Sequence, residues 1–169
     1  MHSGHRDFRR KVSRLKDWDY SAAGYYFITI CTEKHTQIFW HDTVPDVAAH
    51  SVRQLTPPGD IVQTAIINIS KIYPAITVDK YVIMPNHIHM ILIIDDGDHS
   101  WRTLCAATTN PNVSRIVKGL KEYVTKQIGR PIWQKSFHDR IIRNQTEYEK
   151  IWKYIDENPT RWQDDKYHP

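Results

Sequence analysis

An α+β fold, an antiparallel sheet covered by helices, is predicted from three observations. Apolar segments with the two-residue period of strands and segments with the roughly 3.6-residue period of helices follow one another as strand, helix, strand, strand, helix, strand, with one more helix at the end. Only Pro85-Asn86 separates the two middle strands, and this pair suits a tight turn, so those strands form a hairpin. The last helix opens on a capping signal and stops at a proline. With short connections, this order is the split βαβ pattern, βαββαβ, of a ferredoxin-like sheet, extended by a C-terminal helix.

Each element has its own signal. Residues 25–32 are dense in β-branched and aromatic side chains and make the first strand. The polar, Pro-rich stretch 39–58 reads as a loop with a short helical turn around Val47. Asp60 then caps a helix over 61–72, in which Val62, Ile66, Ile69 and Ile72 fall at helical spacing. The hairpin strands occupy 76–84 and 87–94, and 95–112 is a loop. A second helix over 113–128 ends at Gly129-Arg130-Pro131, where Gly takes the left-handed cap and Pro forbids continuation. Residues 133–143 alternate as a fourth strand. Thr146 and Glu149 form a capping box for a helix that runs to Asn158, since Pro159 disfavours helical geometry in the residue before it.

At 169 residues the chain is one domain, residues 1–169, with a basic arm over 1–20 and a core over 21–162. Cys31 and Cys105 belong to no CxxC pair, so no zinc knuckle or disulfide framework is implied and a reduced cytoplasmic setting fits. No stretch reaches the roughly 18 apolar residues of a membrane span, and no apolar run follows the N-terminal charges, so a soluble, unexported protein without a membrane partner is expected. The net charge is +4 and the pI about 9.0. Arg6, Arg9, Arg10, Lys11, Arg14 and Lys16 concentrate that charge in one segment, the footprint of a polyanion partner. A solvated tail is the plain alternative. Six Trp and nine Tyr supply flat faces on which unpaired bases can stack, although many of these rings belong to the core.

The chemistry concentrates in His87-Ile88-His89. Residues two apart on a strand share a face, so the two imidazoles can converge on one cation. Two core histidines satisfied by backbone carbonyls are the alternative, which suits a lone His better than a pair whose desolvation coordination would offset. On the last helix Tyr148, Ile151 and Ile155 make the inward stripe and leave Tyr154 on the flank, with Asn158 one turn later and Lys150 one turn before. An ammonium beside a phenol favours the phenolate, which can act as a covalent nucleophile. Taken alone, a Tyr near a helix end is usually packing; the His pair makes it chemically interesting. A cation on two imidazoles and one amide oxygen keeps open positions for phosphate oxygens.

Residues 81–92 (Tyr-Val-Ile-Met-Pro-Asn-His-Ile-His-Met-Ile-Leu), Trp133-Gln134, the Ile-Ile-Arg-Asn of 141–144 and the Tyr-Ile-Asp-Glu-Asn-Pro of 154–159 resemble the REP-associated tyrosine transposases, single-tyrosine HUH-type relatives of insertion-sequence transposases. Residues 13–21 and 26–32 resemble the opening of that family, and the likeness spans about Arg10 to Trp162. It implies that His87 and His89 bind a divalent ion, Mg²⁺ or Mn²⁺, that Tyr154 is the nucleophile, and that Asn158 completes the metal site. The implied reaction is cleavage and rejoining of single-stranded or hairpin DNA through a 5′-phosphotyrosine. The same resemblance points to a monomer, with a homodimer as the alternative.

Arg9, Arg10, Lys11 and Arg14 of the arm, with Arg115, Lys118, Lys121 and Lys126 of the second helix, are expected on the DNA backbone, where they add affinity without sequence choice. His138, beside Asp139, is an accessory proton carrier or else part of a structural or DNA-contacting strand, and Lys150 is the accessory cation at Tyr154. Two rivals remain. A histidine-triad nucleotide hydrolase would need a third His where Ile91 stands, and a domesticated, non-catalytic binder of hairpin repeats would keep the fold without the reaction.

Overall fold

In a computed structural model, residues 23–41, 54–95 and 112–168 are described. The basic arm with Arg9, Arg10, Lys11 and Arg14, the expected turn at Val47 and Cys105 lie outside them. Four strands, β1 (Gly24–Cys31), β2 (Ile76–Ile83), β3 (His87–Ile94) and β4 (His138–Ile142), form one antiparallel sheet in the order β2-β3-β1-β4. This is the βαββαβ arrangement, with α1 (Pro57–Ile72) and α2 (Val113–Ile128) between strands and α3 (Gln145–Glu157) appended.

The sheet has helices on both faces because its central strands are apolar on both faces. Tyr26, Ile28 and Ile30 of β1 and Ile88, Met90, Leu92 and Ile94 of β3 meet Val62, Ile66 and Ile69 of α1 and Ile116, Leu120 and Val124 of α2 in the larger core. Alternation sends the intervening residues to the other face, where Ile91 and Ile142 pack against Ile151 and Ile155 of α3. His87 and His89 share that second face with Thr29, Tyr25 and Phe27. Both imidazoles are fully buried.

Several boundaries differ from the sequence reading. Thr56, not Asp60, caps α1: its side chain accepts from Gly59 N, and Pro57-Pro58 occupy the first turn, where a helix needs no N–H donors. The cap of α3 is Asn144, which accepts from Glu147 N, while the Glu147 carboxylate accepts from Arg143 N, so the box sits two residues before Thr146 and Glu149. The fourth strand is interrupted rather than continuous over 133–143: Trp133 makes an isolated antiparallel bridge to Thr32, the carbonyls of Gln134 and Ser136 accept from the Lys121 ammonium at 2.9 Å each, and regular pairing resumes only at His138. Asn158 stays helical despite Pro159, since the proline opens a 3-10 helix, Asn158–Asp164, where its missing N–H is harmless. The left-handed Gly129 (φ 80°) ends α2 as expected.

Candidate active site

The Pro85-Asn86 turn and β3 place the histidines, and their outer nitrogens fix their orientation. Asn86 Nδ2 donates to the carbonyls of His35 (3.2 Å) and Tyr167 (2.7 Å), so Asn86 Oδ1 must be the atom 2.8 Å from His87 Nδ1. An amide oxygen only accepts, hence His87 carries its proton on Nδ1 and presents a lone pair at Nε2. His89 is held by Thr29 Oγ1 at 2.8 Å from Nδ1 and stacks on Phe27. The two Nε2 atoms lie 3.0 Å apart.

That spacing fits two kinds of occupancy. Either an N–H of one ring donates to the other, or both lone pairs face a cation, because two ligands at right angles with bonds of about 2.1 Å lie about 3.0 Å apart. His87, His89 and Asp165 offer ligand atoms that all lie within 4.8 Å of one another, and two nitrogens with a carboxylate suit a borderline divalent ion. Asn158 is buried one turn beyond Tyr154, and its Nδ2 has no hydrogen-bond partner among the described residues.

Burial pushes His87 from its ordinary 6.5 down to about 4, and it holds His89 well below the usual range, assisted by the neighbouring ring. Both are therefore neutral near pH 7, the form that ligates. Unfolded, the rings take up protons near pH 6.5, whereas folded His87 waits until about 4, so stability falls as pH drops through that interval and is unaffected above it. His87 alone is expected to contribute a loss of about 3 kcal/mol at 1.36 kcal/mol per pKa unit, read from urea midpoints at pH 7.5 and 4.5, and His89 adds to it in the same direction. A flat profile would contradict the burial argument.

Tyr154, 39% exposed on α3, brings its hydroxyl to 3.2 Å from His89 Nε2 and donates to Asp165 Oδ2 at 3.3 Å. Its pKa is pushed up to about 12 by burial and then by the Asp165 charge, with the Asn158 side chain acting in the opposite direction. The lowering expected from Lys150 does not occur: Lys150 is exposed and absent from the groups acting on the phenol. His138 stands across from Thr29 on β4, on the same face as His89 but two strands over, about 10 Å away at about 4.8 Å per strand, and is exposed. Lys118 is exposed and pairs with Glu122 one turn later, at 3.6 Å. The ammonium of Lys121 is instead half-buried on two carbonyls, and that desolvation lowers its pKa, which makes it a structural clamp.

Sequence reasoning missed Asp165 and Tyr167. The 3-10 helix after α3 packs Trp162 near His87 and turns the chain back, so that Tyr167 lies 4.6 Å, ring to ring, from His87. No spacing in the polar C-terminal stretch announces this, since only the turn brings it home.

No family model matches the chain. An uncharacterized protein of Haemophilus influenzae is 31% identical over 171 residues, covering 93% of this chain and 92% of that one. Among solved structures, a REP-associated tyrosine transposase bound to a REP hairpin superposes with a TM-score of 0.59 and 23% identity, over 83% of this chain and 68% of the other. The shared feature is the fold: a four-stranded antiparallel sheet with a C-terminal helix.

Proposed function

We infer that this chain, which belongs to one family with the Haemophilus influenzae protein and has the fold of the REP-associated tyrosine transposase, cuts and rejoins single-stranded DNA through Tyr154, at hairpin repeats. The observation that carries the reading is the phenol 3.2 Å from the Nε2 of a buried histidine whose partner ring faces it at 3.0 Å. A phenol and two imidazole nitrogens thus share one small volume, which supports the reading.

In the proposed reaction the Tyr154 oxygen attacks a backbone phosphorus, a new phosphorus–oxygen bond forms, and the 3′ oxygen leaves and takes a proton. The strand's 5′ phosphate stays on the tyrosine, and a later 3′ hydroxyl reverses the step without a nucleotide cofactor. Asp165 accepts the phenolic hydrogen bond and is placed to draw the proton off. His87 and His89, with Asp165 or Asn158, would hold the divalent ion. When bound, it would polarise phosphate oxygens and stabilise the phenolate, and nitrogen donors favour Mn²⁺ over Mg²⁺. Thr29 and Asn86 keep the two rings aimed. Lys118 and the basic arm would contact the DNA backbone.

The test is incubation of the protein with a labelled single strand carrying a hairpin, in Mn²⁺ and in EDTA. A denaturant-resistant adduct in Mn²⁺ alone is expected; binding without an adduct would make the chain a non-catalytic hairpin binder. Because Asn86 sets the His87 tautomer, Asn86→Ala should weaken Mn²⁺ binding by roughly 10–100-fold, measured by calorimetry. Unchanged affinity would mean that His87 is not a ligand.

A further inference from the structure

The α3 face of the sheet carries a concavity that the chemistry at Tyr154 does not use. At the opposite end of the strands lies a cavity of about 380 Å³, lined by Tyr25, Asp79, Ile93, Arg143, Asn144 and Tyr148 among others. Tyr25 and Tyr148 meet edge-on, 5.7 Å between centroids and 78° between planes, so they form a corner: one ring presents a face, the other an edge. Tyr25 is 43% exposed although it lies on a central strand. The Tyr148 hydroxyl donates to Asp79 Oδ2 at 2.7 Å, and that bond raises its pKa to about 12, which keeps it a neutral donor. Asp79 retains further acceptor capacity, since an ionised carboxylate offers about four lone-pair sites. Arg143 and the N-terminus of α3 bring positive charge to the rim.

These groups match one ligand chemistry: a flat aromatic ring with N–H donors on its edge and a phosphate attached. We propose that the cavity holds an unpaired base of the same DNA strand that passes Tyr154, and that Asp79 selects guanine there. Guanine presents two adjacent donors to the carboxylate oxygens, whereas thymine would set carbonyl oxygens against them. The inference rests on the DNA-cleaving reading and adds base selection to it. Reach is adequate, because His89 and Ile93 lie four residue steps apart on this face; that is about 13 Å, or about four stacked nucleotide steps at 3.4 Å each.

The experiment measures, by fluorescence anisotropy in EDTA, binding of short labelled single strands that differ only in having G or T at one position, with wild type, Asp79→Asn and Tyr25→Ala. Wild type should prefer the G strand. Tyr25→Ala should lose roughly tenfold in affinity for it, the scale of one base stacked on an aromatic ring. Asp79→Asn should erase the preference for G over T, while the Tyr154 adduct in Mn²⁺ persists in both variants. Base preference unchanged in both variants, with adduct formation intact, would overturn the pocket and leave the cleavage reading standing. Absence of any single-strand binding would overturn both. Tight binding of free guanosine monophosphate, as tight as that of the strand, would make the cavity a nucleotide site and overturn the proposal.

Discussion

Tyr154→Phe is expected to reduce the denaturant-resistant protein–DNA adduct by at least about a thousandfold, the scale on which removing a covalent nucleophile acts. Fold and strand affinity should hardly change. The ring keeps its packing against Phe27 and His89, and the bonds lost are the two long ones, at 3.2 and 3.3 Å; such bonds contribute about 1 kcal/mol or less. A phenol near pKa 12 is ionised in only about one molecule in 100,000 at pH 7. Wild-type adduct formation should therefore accelerate as pH rises through the neutral range, by up to about tenfold per unit until the ion-bound phenol titrates. An adduct that survives in Tyr154→Phe and vanishes in Tyr167→Phe would transfer the nucleophile to the ring beside His87 and sink the assignment.

The parts of this architecture that were legible in the sequence are those set by local chemistry. Alternation across β3 put His87 and His89 on one face, Pro85-Asn86 marked the turn, and Gly129 marked the end of α2. Signals with more than one reader were placed less well. Asp60 and Thr56 can both cap a helix, and the proline pair at 57–58 decides for Thr56, because prolines at the first turn extend a helix upstream. Thr146-Glu149 and Asn144-Glu147 are both boxes by spacing, and the strand pairing of Ile142 leaves room for a start at Asn144.

Long-range placement was legible only where the family resemblance supplied it, as for Tyr154 beside the His pair. Lys150 precedes Tyr154 by one helical turn, yet α3 lies with the phenol turned to the sheet and the ammonium to water, so the charge that reaches the phenol is the negative one of Asp165. Lys121 looks like its neighbour Lys118 in a basic helix. Only the fold of residues 133–137 beneath it converts it from a phosphate contact to a clamp on two carbonyls. Periodicity tells which side of an element a residue occupies, and it is silent about which distant segment arrives there.

His89→Ala should have an effect as large as loss of the nucleophile, through a separate route. His89 touches three parts of the site at once: Thr29 behind it, His87 beside it and the Tyr154 hydroxyl in front. If it ligates the ion, wild type at a hundredfold excess of Mn²⁺ over Kd gains about 2.7 kcal/mol of stability, which for a chain of 150–250 residues is a Tm rise of about 5–11 °C. In His89→Ala that rise should vanish, and adduct formation should fall by at least about a thousandfold, since both the aim of the phosphate and the charge that favours the phenolate go with the ion. The two readouts separate chemistry from packing. The substitution also removes a buried ring and leaves the Thr29 hydroxyl without its partner, so basal stability drops as well, and a mere packing defect would lower the starting Tm while leaving the Mn²⁺ increment intact. A full increment in His89→Ala would mean that the ion, if it binds, binds elsewhere, and the cation-assisted account of Tyr154 would fall with it.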